Sequence, residues 1–243
     1  AKLLNHFEIR KPCVSYYEHN KYASGEKIVA RLLAGETCAL VTDAGMPAIS
    51  DPGEDIVRQC AEQGIDVQVI PGPCAAITAL SMSGLPTGRF TFEGFLSTTK
   101  KNRAQHLDSL RAEQRTMIFY EAPHKLCATL RDLAAAFGGE RRISLCRELT
   151  KLHEEVLRLT LDGAVAYYET QPPRGEYVLI VEGAPKQQES GPVSEEEALM
   201  RVQALLAEGL SRKDAVRQVA AETGLAKNQL YDAALRAQHT ETE

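Results

Sequence analysis

Val41-Thr42-Asp43-Ala44-Gly45-Met46-Pro47-Ala48-Ile49-Ser50-Asp51-Pro52-Gly53 follows a short apolar run and precedes an amphipathic one. Residues 43–53 hold two Gly, two Pro and two Asp, a composition that builds a rigid, exposed loop. Gly45 and Gly53 allow close approach of a ligand or a neighbouring backbone. Asp43 and Asp51 either cap the structure that follows or accept hydrogen bonds from a ligand's ammonium or ribose. Asp51 is the better placed to cap the next helix. In open α/β sheets ligands gather beyond the carboxyl ends of strands, where such a loop would sit.

The layout recurs. Val69-Ile70-Pro71-Gly72-Pro73-Cys74-Ala75-Ala76 again joins an apolar run to a helical pattern. Pro73 suits a first helical turn, and the small residues Cys74, Ala75 and Ala76 would let a flat ligand lie on the helix N-terminus. Plain strand–turn–helix packing reads equally well. Outward from these loops, apolar runs at 13–17, 38–41, 67–70, 90–95, 116–120, 143–146 and 177–181 read as strands. Amphipathic stretches at 23–34, 55–63, 74–83 and 126–137 read as helices. Strands alternating with helices of this length predict an α/β fold.

Two breaks interrupt the pattern. Phe95-Leu96-Ser97-Thr98-Thr99-Lys100-Lys101-Asn102-Arg103 is polar and basic and reads as a linker or mobile loop. Residues 183–193, with Pro185, Pro192 and a Gln-Gln-Glu-Ser-Gly run, form the second. The expected division is an α/β domain over 1–88, a second over 89–184 and a helical tail over 194–243. In the tail Ser194 and Glu197 suit a capping box, and Ser211 suits the cap of the next helix. Ala220-x-x-x-Gly224 followed by Leu230 matches the tight turn of a helix-turn-helix, a pattern that small three-helix bundles share.

Composition sets limits. The chain has 243 residues, 44% of them hydrophobic and 25% charged, so a sizeable core is available. Aromatics are only 6% and Trp is absent, which argues against stacking on exposed rings as the main mode of nucleic-acid contact. The net charge of -5 requires any phosphate binding to come from local basic patches. Lys100, Lys101 and Arg103 form one such patch. Arg141 and Arg142 form another, and Arg212, Lys213 and Arg217 share a helix in the tail. Six scattered Cys, among them Cys38 in an apolar run, show no C-x-x-C spacing and read as buried, reduced thiols of a cytoplasmic protein. The six His show no metal spacing, so no metal is expected. G-x-G-x-x-G after a strand, a phosphate loop and a nucleophile elbow are all missing. No opening signal peptide and no membrane-length apolar run is expected.

Three further segments carry polar residues at strand ends: Phe119-Tyr120-Glu121-Ala122-Pro123, Cys146-Arg147-Glu148-Leu149-Thr150-Lys151 and Pro173-Arg174-Gly175-Glu176-Tyr177. Arg147 and Lys151 are donors suited to phosphate or carboxylate, or members of a solvated ion-pair loop. Taken with Phe92-Glu93-Gly94-Phe95-Leu96, these segments in this order resemble the tetrapyrrole methylase superfamily. Within it they resemble the ribosomal small-subunit RNA (cytidine-2′-O)-methyltransferases, and the likeness covers nearly the whole chain. Members of that branch open with a strand and a Pro-Ile-Gly-Asn-Leu loop. This chain opens at Ala1-Lys2-Leu3-Leu4-Asn5-His6-Phe7, which corresponds to a helix beyond that loop.

The resemblance implies a homodimer of two-domain α/β subunits with S-adenosylmethionine in a cleft, plus a C-terminal helical domain that helps hold RNA. It assigns cofactor contacts to Asp43, Gly45, Pro47, Ile49, Cys74, Ala75, Tyr120, Glu121, Leu149 and Gly175. A ribose hydroxyl is a poor nucleophile until it loses its proton, so a general base or a stabilising cation would help. Glu148 and Lys151 are the candidates, with Glu121 behind them. The RNA contacts would fall to Lys100, Lys101, Arg103, Arg212, Lys213 and Arg217. Methylation of a small tetrapyrrole by the same fold, and a non-catalytic RNA-binding or assembly role, are the competing readings.

Overall fold

Residues 2–185 and 194–240 are described in a computed structural model. The chain forms two compact units, Ala1–Ala184 and Pro185–Glu243. The first begins with helices α1 (Lys2–His6), α2 (Lys21–Leu33), α3 (Glu54–Glu62) and α4 (Ala75–Met82). Then come β1 (Phe90–Phe95), α5 (Lys100–Ser109), β2 (Thr116–Glu121), α6 (Pro123–Phe137), β3 (Arg142–Arg147), β4 (Glu155–Thr160), α7 (Leu161–Thr170) and β5 (Tyr177–Val181).

The five strands make one mixed sheet in the order β1-β2-β5-β3-β4. Tyr177-Val178-Leu179-Ile180-Val181 is apolar without alternation, and it takes the central place, buried on both faces. β1 runs parallel to β2 through the α5 crossover, and the other pairs are antiparallel. Side chains alternate across the sheet. Met117, Phe119, Leu145 and Leu179 meet α6 and α7 on one face, through Leu126, Leu130, Leu133 and Leu161. Ile118, Cys146, Val178 and Ile180 meet α4 on the other face, through Ala76, Ala79 and Leu80. The α6 stripe falls at helical spacing behind Pro123 at its first turn. Leu130 is fully buried, and truncating such a side chain to Ala costs ~2–5 kcal/mol.

Several expectations change here. The runs at 13–17, 38–41 and 67–70 join no ladder among the described residues. A strand needs a neighbouring backbone ~4.8 Å away to pair its N–H and C=O groups, and these segments have no ladder partner among the described residues. Their apolar side chains Val14, Leu40, Val41, Val67, Val69 and Ile70 are consequently exposed. Cys38 and Cys13 are exposed with them, whereas Cys60 and Cys146 are buried. The supposed linker contains α5: residues from Lys100 onward are helical, so only 96–99 bridge β1 to it. β4 and α7 were not anticipated. β4 is an edge strand in which Arg158 interrupts the apolar run, which hides its period.

The second unit holds α8 (Glu195–Ala207), α9 (Arg212–Thr223) and α10 (Lys227–Thr240). Ser194 accepts from the Glu197 N–H and Ser211 from the Asp214 N–H, so both expected caps form. Gly224 ends α9 in the left-handed conformation, its N–H donating to the Ala220 carbonyl. Val202, Val216, Val219 and Leu230 fill the small core.

Candidate functional site

The loops at 43–53 and 71–76 meet. A Cβ on Gly45 would lie 3.2 Å from the Pro73 carbonyl oxygen, and Gly45 holds φ +73, so a side chain there would be both strained and crowded. Thr42 donates its hydroxyl to the carbonyls of Ala44 and Gly45, which stiffens the loop's entry. Ala48 and Ser50 sit at φ 68 and 58, and Glu148 and Thr150 at φ 51 and 64. Among the described residues, four of the five non-glycine residues with positive φ therefore lie in two loops, 43–53 and 147–151, and strain of this kind concentrates at functional sites.

Tyr120 ties the loops to the sheet. Its hydroxyl accepts the Ala76 N–H at 3.1 Å. Ala76 is the second residue of α4, whose N-cap Cys74 supplies no side-chain cap, so the phenol stands in for one. Burial, then the neighbouring Cys74 and Asp51, push the phenol's pKa up, against the Ala76 hydrogen bond. Leu149 and Cys74 pack on the same apolar cluster. Loops 43–53, 71–76 and 147–151 thus share one end of the sheet, on its α4 side. At the other end of α4, Arg158 donates to the Ser83 and Met82 carbonyls at 3.0 and 2.5 Å. That guanidinium satisfies the helix C-terminus and holds α4 from behind.

Glu148 and Lys151 form an ion pair at 2.9 Å, and Lys151 also reaches Glu176 at 3.2 Å. Glu148 accepts the Glu176 N–H on the same oxygen. A Cβ on Gly175 would fall 2.5 Å from Glu148 Cδ, so Gly175 is the seat of that carboxylate. The Lys151 hydrogen bond, then the backbone, hold the Glu148 carboxyl below its ordinary range, and Glu148 holds the Lys151 ammonium above its own. Both groups stay charged near neutrality. The pair is therefore suited to steadying a developing negative charge, and Glu148 is a weak base.

Other expected residues have different tasks. Glu121 follows Tyr120 and so faces the opposite side of the sheet. It is buried, and its oxygens already accept the Ala122 N–H at 2.8 Å and the Thr129 hydroxyl at 2.5 Å. Arg103 extends this network, donating to Thr129 at 2.9 Å and Asp132 at 2.6 Å. Glu121 thus ties the end of β2 to the start of α6, on the face away from the Tyr120 ring. Arg103 is a half-buried clamp between α5 and α6 rather than a free phosphate ligand. Asp51 does not cap α3, whose N-cap is Gly53 without a side-chain bond. Asp43, Gly45, Ile49 and Ala75 are exposed at the loops, and Pro47 and Cys74 are half-buried. In the second unit Lys213 is exposed, Arg212 is half-buried and Arg217 pairs with Asp214 at 2.8 Å. Among the described residues no group of three or more His, Cys, Asp or Glu is placed to hold a metal.

Comparison with known proteins gives this arrangement its context. The model of the Tetrapyrrole (Corrin/Porphyrin) Methylases matches residues 6–165. The chain belongs to the tetrapyrrole methylase family. The model of the RsmI C-terminal HTH domain matches residues 193–238. A Synechocystis protein called ribosomal RNA small subunit methyltransferase I is 48% identical, over 97% of this chain and 84% of its own. A protein of the same name from Halalkalibacterium halodurans is 46% identical, over 95% of this chain and 80% of its own. Among solved structures, diphthine synthase aligns with a TM-score of 0.53 at 13% identity, over 74% of this chain and 72% of that one. The methyltransferase CobJ aligns with a TM-score of 0.52 at 18% identity, over 71% and 74%. At such identities these neighbours speak for the fold alone. The strand-end loops that meet around Tyr120 lie inside the stretch matched by the family model.

Sequence reasoning missed Arg158, Thr129 and the exposed rings of Phe92 and Phe95. The signal for the rings was Gly94, since a glycine inside a strand marks a bulge.

Proposed function

We propose that this chain uses S-adenosylmethionine to methylate the ribose 2′-hydroxyl of a cytidine in small-subunit ribosomal RNA. One observation carries the reading: relatives called ribosomal RNA small subunit methyltransferase I match both the methylase part and the helical tail at up to 48% identity. The fit of the cofactor rests on the crowded Gly45–Pro73 approach and on the small residues Cys74, Ala75 and Ala76 at the start of α4. When bound, the cofactor supplies an electrophilic methyl group on a sulfonium.

In this reading Asp43, Gly45, Pro47, Ile49, Cys74, Ala75, Tyr120, Leu149 and Gly175 form its surroundings, where the loops of 1–88 meet the end of the sheet carried by 89–184. Tyr120 fixes α4, so the loop at 71–76 holds one position as ligands arrive. Alignment of the ribose oxygen with the methyl group, which such a fixed loop serves, is worth roughly 7–11 kcal/mol in well-aligned systems. Lys151, held by Glu148 and Glu176, steadies charge developing on the ribose oxygen. Lys100, Lys101, Arg212, Lys213 and Arg217 contact phosphates. The protein works as a homodimer in the cytoplasm, where its substrate is assembled; its size in solution by light scattering tests the dimer.

The family name itself offers a small tetrapyrrole as the alternative substrate. Radiolabelled cofactor offered with isolated small subunits or with a porphyrinogen separates the two. Label in the subunits alone is expected, and label in the porphyrinogen alone would overturn the proposal.

A further inference from the structure

Phe90, Phe92 and Phe95 should not all share a face, because Phe95 lies three positions, an odd step, beyond Phe92. The register shows how they do. Phe90 pairs with Thr116 and Phe92 with Ile118, then a shift lets Gly94 pair with Phe119 and Phe95 with Tyr120. In-register partners point the same way, so all three rings join Ile118 and Tyr120 on the α4 side. The bulge at Glu93–Gly94 re-aims Phe95 out of the α6 core.

α4 does not cover these rings. The buried cluster beneath it includes Ile118, with the partly buried Tyr120 packed at its margin, and takes in none of the three rings. Phe92 keeps 38% and Phe95 56% of its surface exposed, and their rings stand edge-on to Tyr120 at 5.1 and 5.6 Å. β1 is an edge strand, so this aromatic surface lies open at the rim of the sheet. It also borders the candidate cofactor loop: a Cβ on Gly94 would lie 3.6 Å from Ser50 Oγ. Past Phe95, Lys100 and Lys101 stand exposed on the first turn of α5. Five residues of chain span at most ~17 Å, within the footprint of a short single strand.

We propose that Phe92 and Phe95 are a stacking platform for a base of single-stranded RNA, which brings the neighbouring ribose to the loops around Tyr120. This rests on the RNA reading above and adds the surface that receives the nucleotide. The occupant is set by chemistry: flat rings beside two lysines match a base attached to phosphates better than an apolar segment. The low aromatic content is no objection, because three of the six phenylalanines are gathered on this strand.

The chain has no Trp, so Phe95→Trp in the full chain introduces a sole indole reporter. Titration with a cytidine-rich single-stranded RNA dodecamer should quench its emission saturably, following the anisotropy of the same RNA carrying a dye. Phe92→Leu and Phe95→Leu keep apolar bulk but lose the ring. Each should raise KM for small subunits between about fivefold and a hundredfold, with kcat and cofactor affinity held, and Phe95→Tyr should restore it. RNA binding without quenching, or no RNA binding, would overturn the platform. So would Leu variants that match the parent, or an emission shift that follows protein concentration alone, which would mean a second copy covers the rings. If the parent transfers no methyl to subunits, the functional reading fails instead, and the quenching titration decides the platform by itself.

Discussion

Tyr120→Phe removes one oxygen from the centre of the site. In the folded protein that oxygen accepts the Ala76 N–H at 3.1 Å and replaces the cap that Cys74 lacks. Ala76 is buried, so its N–H would find little water in exchange. Losing a helix cap costs ~0.5–2 kcal/mol, and stranding a buried donor ~1–3 kcal/mol. About 1 kcal/mol is the central expectation, since the phenyl ring stays to fill the space. For a unit of this size that lowers Tm by ~2–4 °C. Cofactor affinity should fall about fivefold if the same energy is drawn on when loop 71–76 is held in place. Cys74 has the extended backbone of an N-cap, so Cys74→Ser can supply the missing acceptor. It should add little stability to the parent and recover most of the loss in Tyr120→Phe. Calorimetry of the four proteins closes the cycle. Equal gains from Cys74→Ser in both backgrounds, or an unchanged Tm in Tyr120→Phe, would refute the shared-donor argument.

Four other outcomes follow from the observed geometry. Gly175→Ala meets both φ +74 and the Glu148 side chain, so the 147–151 loop should loosen. Amide exchange there should quicken and titrated cofactor affinity drop, at a conformational cost of ~1–2 kcal/mol. Arg103→Met should lower Tm by several degrees and leave the salt dependence of subunit binding alone, because Arg103 is committed to Thr129 and Asp132. Lys100→Ala with Lys101→Ala should do the reverse, reducing the salt slope by ~2 in a co-sedimentation series. Replacing Arg212, Lys213 and Arg217 with Ala should weaken subunit binding without changing cofactor affinity, with Arg217 contributing least because Asp214 holds it. Subunit binding equal to the parent at every salt would make the tail a structural element.

The α/β fold was legible where burial left its mark on the sequence. Val178 to Val181 form a short unbroken apolar run, and Leu126, Leu130 and Leu133 of α6 fall at helical spacing. The caps Ser194, Ser211 and Gly224 were legible because each does its work locally. Segments 38–41 and 67–70 have strand composition, but pairing is a property of neighbours, and composition cannot supply one. Glu121 and Tyr120 were adjacent in the motif, and only the pleat shows that one faces α6 and the other α4. Arg103 read as basic because its partners Thr129 and Asp132 are distant in sequence. Phe95 was hidden by a one-residue bulge that reverses its face.

The most direct measurement is nucleoside mass spectrometry of small-subunit RNA after incubation with the full chain and deuterated-methyl S-adenosylmethionine. The account predicts one new labelled nucleoside, 2′-O-methylcytidine, in an alkali-resistant dinucleotide, and its loss when Lys151 is replaced by Ala. Label on a base, or a porphyrinogen labelled while the RNA stays bare, would contradict it.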